Sequence, residues 1–175
     1  MKNTMLKRKH LFLSSILLIF CPPVFSEGLI LDLTGGISHT ENNSYKEGAS
    51  FESAFGYAWD AVHLKAGTGY LGNFELEHGE DNTDIEVKGG FIQVALPFDL
   101  NVVSLEIGAG IYATWADARY EGIKVGDNQE LNPFVDLRVV KNLNDLISLQ
   151  GGIKHIDDVS GSNLFITNFG IRFSF

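Results

Sequence analysis

From Leu29 to Ser38 apolar residues fall mostly at odd positions and small or polar ones at even positions. This is the two-residue period of a β-strand with one apolar face. The period recurs at Phe51, Ser53, Phe55, Tyr57 and Trp59 against Glu52, Ala54, Gly56 and Ala58. It recurs again at Val62, Leu64, Ala66, Thr68 and Tyr70 against His63, Lys65, Gly67 and Gly69. A long run from Leu105 to Trp115 sets Leu105, Ile107, Ala109, Ile111 and Ala113 against Glu106, Gly108, Gly110, Tyr112 and Thr114. Three further strands are predicted near 131–140, 146–156 and 164–175. Their apolar faces carry Val135, Leu137 and Val139, then Ile147, Leu149 and Ile153, then Phe165, Phe169, Ile171, Phe173 and Phe175. Between Asp84 and Leu96 the apolar positions move from odd (Ile85, Val87) to even (Ile92, Val94, Leu96) across Gly89-Gly90, which predicts a β-bulge there. The pattern therefore gives eight strands of about ten to twelve residues.

The connections alternate in length. Those at Thr40 to Glu47, Glu75 to Thr83, Asp117 to Gln129 and Asp157 to Asn163 are long, and those at Asp60-Ala61, Pro97 to Asn101 and Lys141 to Asp145 are short. Long loops at one end and short turns at the other describe an all-β, antiparallel up-and-down barrel with both termini on the short-turn side. A barrel in water turns its apolar face inward, and a barrel in a membrane turns it outward. Three features favour the membrane. The polar face carries Asp32, Glu52, Glu106 and Asp136 against Lys65, Arg138, Lys154 and Arg172, a balanced set that can pair across a narrow lumen. The same face is rich in glycine, which a crowded interior accepts. Trp59, Tyr57, Trp115 and Tyr70 stand toward strand ends, as interfacial girdles do. The expected fold is an eight-stranded transmembrane β-barrel.

The first 26 residues differ in kind. Lys2, Lys7, Arg8 and Lys9 precede an apolar stretch from Leu11 to Phe20, ended by Pro22-Pro23 before Val24-Phe25-Ser26. These are the parts of a secretory signal peptide, with cleavage expected after Ser26 and the barrel domain in 27–175. Lipidation of Cys21 is disfavoured by the bulky Phe20 before it and Pro22 after it. The whole chain has a net charge of -9; without the four basic residues of the first segment, nine basic side chains remain against 22 acidic ones, a net charge of -13. So acidic a chain offers no basic stripe for nucleic acid. A single cysteine removes disulfide frameworks and cysteine zinc sites.

The last eleven residues set Phe165, Thr167, Phe169, Ile171, Phe173 and Phe175 on one face and Ile166, Asn168, Gly170, Arg172 and Ser174 on the other, ending on Phe175. This ending resembles the terminal strand of bacterial outer-membrane barrels, and the resemblance implies that Phe169, Ile171, Phe173 and Phe175 address the barrel insertion machinery. By pattern, 27–175 resembles the small barrels of the OmpA transmembrane-domain and OmpX type. The stretches Gly108 to Trp115, Gly152 to Asp157 and Gly170 to Phe175 are similar to porin-like barrels of gamma-proteobacteria, including the accessory colonization factor A group. The resemblance implies a Gram-negative outer-membrane location and lipopolysaccharide as a neighbour. It also implies a structural or surface-interaction role, in adhesion or colonisation, through four acidic external loops. The chain departs from full OmpA proteins in having no peptidoglycan-binding domain after the barrel pattern.

Two other readings stay open. His155 invites comparison with the lipid A 3-O-deacylases, barrels whose motif places a serine two residues after a lipid-facing histidine and an acid on the next strand. Here that position is Asp157, Ser160 is five residues on, and the last strand offers Phe165, Thr167 and Phe169. The expectation is therefore no enzyme, with a barrel-type acyl hydrolase as the alternative. The second alternative is a small pore lined by groups such as Arg138 and Glu106. Glu75, Glu77, His78, Glu80, Asp81 and Asp84 form an acidic run that could attract Ca²⁺ or Mg²⁺, without EF-hand spacing, and reads as a solvated loop. Gly35-Gly36, Gly67-Thr68-Gly69 and Gly108-Ala109-Gly110 have no helix after them to make a phosphate cradle and read as packing glycines. His63 and Lys65 are expected to meet Glu52 by strand pairing in a lumenal salt-bridge layer. No metal or cofactor is expected.

Overall fold

The computed structural model describes residues 27–41, 45–75 and 83–175. The expected signal peptide and cleavage point, Cys21, and the Glu77, His78, Glu80 and Asp81 part of the acidic run lie outside them. Eight strands follow in chain order: β1 (Gly28–Thr40), β2 (Gly48–Ala58), β3 (His63–Glu75), β4 (Thr83–Asp99), β5 (Ser104–Tyr120), β6 (Ile123–Asn142), β7 (Ile147–Val159) and β8 (Ser162–Ser174). Each pairs antiparallel with the next, and β8 pairs with β1, so the sheet closes into a barrel. Closure leaves no free edge within the barrel wall, the condition for a sheet to exist in hydrocarbon.

The two-residue period sorts side chains to the two faces of the wall. Asp32, Glu52, Lys65, Glu106, Asp136, Arg138, Lys154 and Arg172 are all buried inside. Phe51, Phe55, Leu64, Ile92, Val94, Ile107, Val135 and Phe169 are exposed on the outside. From Leu105 to Trp115 the outer face of β5 is apolar, a run of about 33 Å along the strand and about 25 Å along the membrane normal at the usual tilt. Trp59 stands on the outer face at the short-turn end, with Tyr57 packed 4.7 Å away, while Tyr70 and Trp115 stand near the opposite end.

The structure corrects the sequence reading in four places. There is no bulge at Gly89-Gly90: β4 runs unbroken from Thr83 to Asp99, and the irregularity lies opposite, between Tyr70 and Gly72 of β3. Leu71 is the extra residue, and Gly72 takes φ 143°, a value that an L side chain rarely adopts. The apolar residues of β4 change parity because Ile85, Val87 and Phe91 point into the lumen while Ile92, Val94 and Leu96 point to lipid. The expected long loop from Asp117 to Gln129 is mostly strand, with β5 and β6 joined by Glu121-Gly122 alone. The loop from Asp157 to Asn163 likewise shrinks to a turn at Ser160-Gly161, with an irregular register between Ile156 and Val159. Strands reach 20 residues in β6, well beyond ten to twelve.

Candidate functional site

The lumen is layered along the barrel axis. At the short-turn end a vestibule of about 400 Å³ opens between the termini and the turns, lined by groups that include Ile30, His63, Ser148 and Ser174. Its floor is an ion-pair network. Arg172 donates from Nε to Asp32 Oδ1 at 2.6 Å and from Nη1 to Glu106 Oε2 at 2.9 Å. Lys65 pairs with Glu106 and lies 3.4 Å from Asp32, and His63 Nδ1 meets Glu106 Oε2 at 2.9 Å. Arg138 bridges Asp136 at 2.7 Å, Asp32 at 3.5 Å and Glu52 at 3.8 Å. Lys65 therefore joins Asp32 and Glu106, and the expected contact with Glu52 is absent: Glu52 lies opposite Gly69 on β3 and turns toward Lys154, whose ammonium donates to it at 2.7 and 2.8 Å.

Lys154 marks the boundary to the next layer. Its Nζ sits 4.6 Å from the ring centre of Phe91, 4.9 Å from Phe134 and 5.4 Å from Tyr112, a cage in which ring faces and the Glu52 carboxylate share one cation. The Tyr112 hydroxyl donates to Glu52 at 2.9 Å. Beyond the rings the lumen is mostly apolar, filled by Leu71, Phe74, Val87, Ile156, Leu164 and Ile166, with Ser38 bonded to the Leu71 carbonyl and Thr114 to Asn132 among them. The sequence reading treated the inner face as polar and missed this plug. Its signal was there: Phe91, Phe134, Ile156 and Ile166 share strand parity with lumenal polar residues.

A charged inner network, an apolar outer belt and two aromatic girdles together define the solvent as lipid. The fold is that of an eight-stranded outer-membrane β-barrel. The solved structures agree. Neisserial surface protein A (NspA) superposes with a TM-score of 0.62 at 14% identity, over 85% of this chain and 97% of that one. OprG, an outer membrane protein of Pseudomonas aeruginosa, gives 0.60 at 8% identity, over 86% and 96%. Ail, the attachment invasion locus protein of Yersinia pestis, gives 0.56 at 11% identity, over 85% and 97%. No protein-family model matches the sequence, and no curated protein matches it. In such barrels the short turns are periplasmic, which puts the vestibule in the periplasm and the long hairpins at the cell surface.

Above the outer girdle, β4, β5 and β6 continue as a sheet, with the end of β3 paired to β4 as far as Glu75. Its outer face carries a charge ladder: Arg119 to Glu86 at 2.7 Å, Lys124 to Asp117 at 2.8 Å, Lys124 to Asp127 at 3.1 Å and Lys88 to Asp117 at 3.6 Å. The hydrogen bond from Lys124 holds the Asp117 carboxyl below its ordinary value and in turn raises the Lys124 ammonium. At the tip Tyr120, Ile123 and Val125 are exposed, the last two at 69% and 64%. Glu75 and Asp84, the described ends of the acidic run, face each other across β3 and β4, and Glu75 pairs with Lys46 at 2.9 Å. Among the described residues no three His, Cys, Asp or Glu side chains group as metal ligands.

His155 is on the outer wall, its ring 4.6 Å from Phe165, directly across from it on β8. Asp157 is exposed beyond it, and Ser160 lies in the β7–β8 turn with its N–H on Glu130 Oε2 at 2.8 Å. Phe169 and Ile171 face lipid on β8. Phe175 exchanges backbone hydrogen bonds with Leu29 at 2.9 and 3.1 Å, tying the last residue to the first strand.

Proposed function

We propose that the protein is a non-enzymatic surface-interaction barrel of the outer membrane, with the β4–β6 extension as its contact surface. The supporting observation is the division of polar groups. Inside, the ionic and aromatic layers leave side chains packed against one another where a pore would need water. Outside the membrane, one sheet lifts a charge ladder and an exposed apolar tip above the lipid. Its partner is a surface ligand or host component; the similar barrel Ail is named an attachment invasion locus protein, and one of its structures is a complex with the heparin analogue sucrose octasulfate. The lipid-facing place of His155 beside Phe165, with an aspartate where an attacking serine would stand, supports leaving catalysis out.

The test trims the hairpin. Asp117 faces Asp127 in the register, so replacing 118–126 by Asn-Gly rejoins paired strands with a favoured two-residue turn. The trimmed barrel is expected to keep its heat-modifiable migration, while bacteria displaying it lose attachment to cultured epithelial cells relative to those displaying the full chain. Unchanged attachment would sink the proposal.

A further inference from the structure

We propose that the outer wall between β6 and β1 carries a specific seat for a phosphorylated lipid of the outer leaflet. In this part of the belt a depression of about 340 Å³ opens among side chains of Val135, Leu137, Ile153 and Thr167. Thr167 makes the floor: it pairs with Ile153 on one side and Ile37 on the other, and its short side chain leaves a hollow between two larger ones. The hollow lies within the apolar belt, so the medium that fills it is an acyl chain.

The outer end of the hollow is built differently. His39 on β1, Phe165 on β8 and His155 on β7 are directly opposed across the strands and form one row of rings at the girdle level. His39 stacks on Phe165 at 5.5 Å with 13° between the planes, and His155 lies 4.6 Å from the same ring at 41°. Packing against one phenyl ring fixes both imidazoles and leaves their edges, which carry the nitrogen groups, for a ligand. An imidazole N–H donates to a phosphate oxygen, and the bond strengthens when the ring is protonated. Nearby Glu41 is engaged elsewhere, accepting from the Asn163 amide at 2.7 Å. A chain in the hollow thus brings its headgroup to two donors held about one strand spacing either side of Phe165. Nothing in this seat requires bond cleavage, and it is independent of the hairpin proposed above to face other surfaces.

The test uses the purified full chain in detergent micelles with diphosphoryl lipid A, the same lipid freed of its phosphates, or phosphatidylglycerol, and counts bound lipid by native mass spectrometry. The wild-type barrel is expected to retain diphosphoryl lipid A one to one. The double variant H39L/H155L, which removes both donors, and the groove-filling variant T167W, which denies the acyl chain its hollow, are each expected to lose about tenfold in retention. V94W, on another part of the wall, is expected to retain it. Equal retention by H39L/H155L and wild type, or equal retention of the phosphate-free lipid, overturns the proposal. Should a variant fail to fold, ¹⁵N spectra of the wild-type imidazoles decide: the His39 and His155 signals move with diphosphoryl lipid A and not with the phosphate-free lipid, and still signals overturn it.

Discussion

Glu106 is the acid on which the inner network turns. It accepts from Lys65, from Arg172 at 2.9 Å and from His63 at 2.9 Å, and it is 2% exposed. Glu106→Gln keeps the shape and removes the charge, leaving Lys65 and Arg172 to share Asp32, which already receives two bonds from Arg172 and has Arg138 at 3.5 Å. Breaking a buried pair by neutralising one partner costs about 3–5 kcal/mol. Against a total stability of roughly 5–15 kcal/mol, that is a shift of about two to four decades in the unfolding equilibrium. The assay is urea unfolding of the barrel refolded into lipid vesicles, followed by the fluorescence of Trp59 and Trp115. Arg172→Met in the same background restores neutrality, so the double variant is expected to lose less than the sum of the two single changes by about 1–3 kcal/mol. A loss below about 1 kcal/mol for Glu106→Gln would refute the reasoning, because charges that pair so weakly are screened by water and the lumen is wet.

The aromatic layer makes a second expectation: the wild-type barrel shows no steady conductance in planar bilayers, whereas Phe91→Ala with Phe134→Ala, which removes two rings of the Lys154 cage, opens one. Gly170 on β8 sits where an added Cβ would stand 2.0 Å from the Leu33 carbonyl oxygen and 2.7 Å from Thr34 Cα, so Gly170→Ala strains the β8–β1 seam. It is expected to lower stability by about 1–3 kcal/mol in the same urea assay. The external hairpin titrates at both extremes. Asp117 is lowered, so its contribution is complete above its ordinary value of 3.8 and fades as pH falls through the lowered one; Lys124 is raised, so its contribution is complete below 10.5 and fades as pH rises beyond. Amide exchange at 118–126 is therefore expected to show protection beyond the intrinsic pH effect through the neutral range, lost at acid pH, with Asp117→Asn removing the acid limb.

Much of the barrel was legible because a wall one residue thick writes its two solvents directly into alternate positions. Strand number, closure and the inward side of all eight network residues follow from that period. Partners inside the lumen were not legible. Lys65 and Glu52 sit on neighbouring strands, yet which acid a lysine reaches depends on barrel shear and side-chain length, and Lys65 reaches across to β5. The Gly89-Gly90 reading failed for a related reason: an apolar residue facing inward into a plug looks, in one dimension, like a strand that has changed phase. Long polar stretches also mislead, since 117–129 carries Asp, Asn, Gly and Lys yet pairs as strand through ladder hydrogen bonds that ask little of side chains.

The upper part of β6 has a backbone ladder on one side only. Its pairing with β7 begins at Phe134; just above, the side chains of Asn132 and Glu130 still reach Asp158 and Ser160 at 2.8 Å, and from Ile123 to Gln129 the described ladder partners are those of β5. An open strand end standing in water invites the backbone of another molecule, and barrels crowded in one membrane meet such ends often. This one is blunted. Pro133 has no N–H to give at the point where pairing stops, a register shift near Arg119 twists the ribbon, and Lys124 and Asp127 place charge along it. The backbone that rises above the membrane thus carries its own protection against pairing with copies of itself.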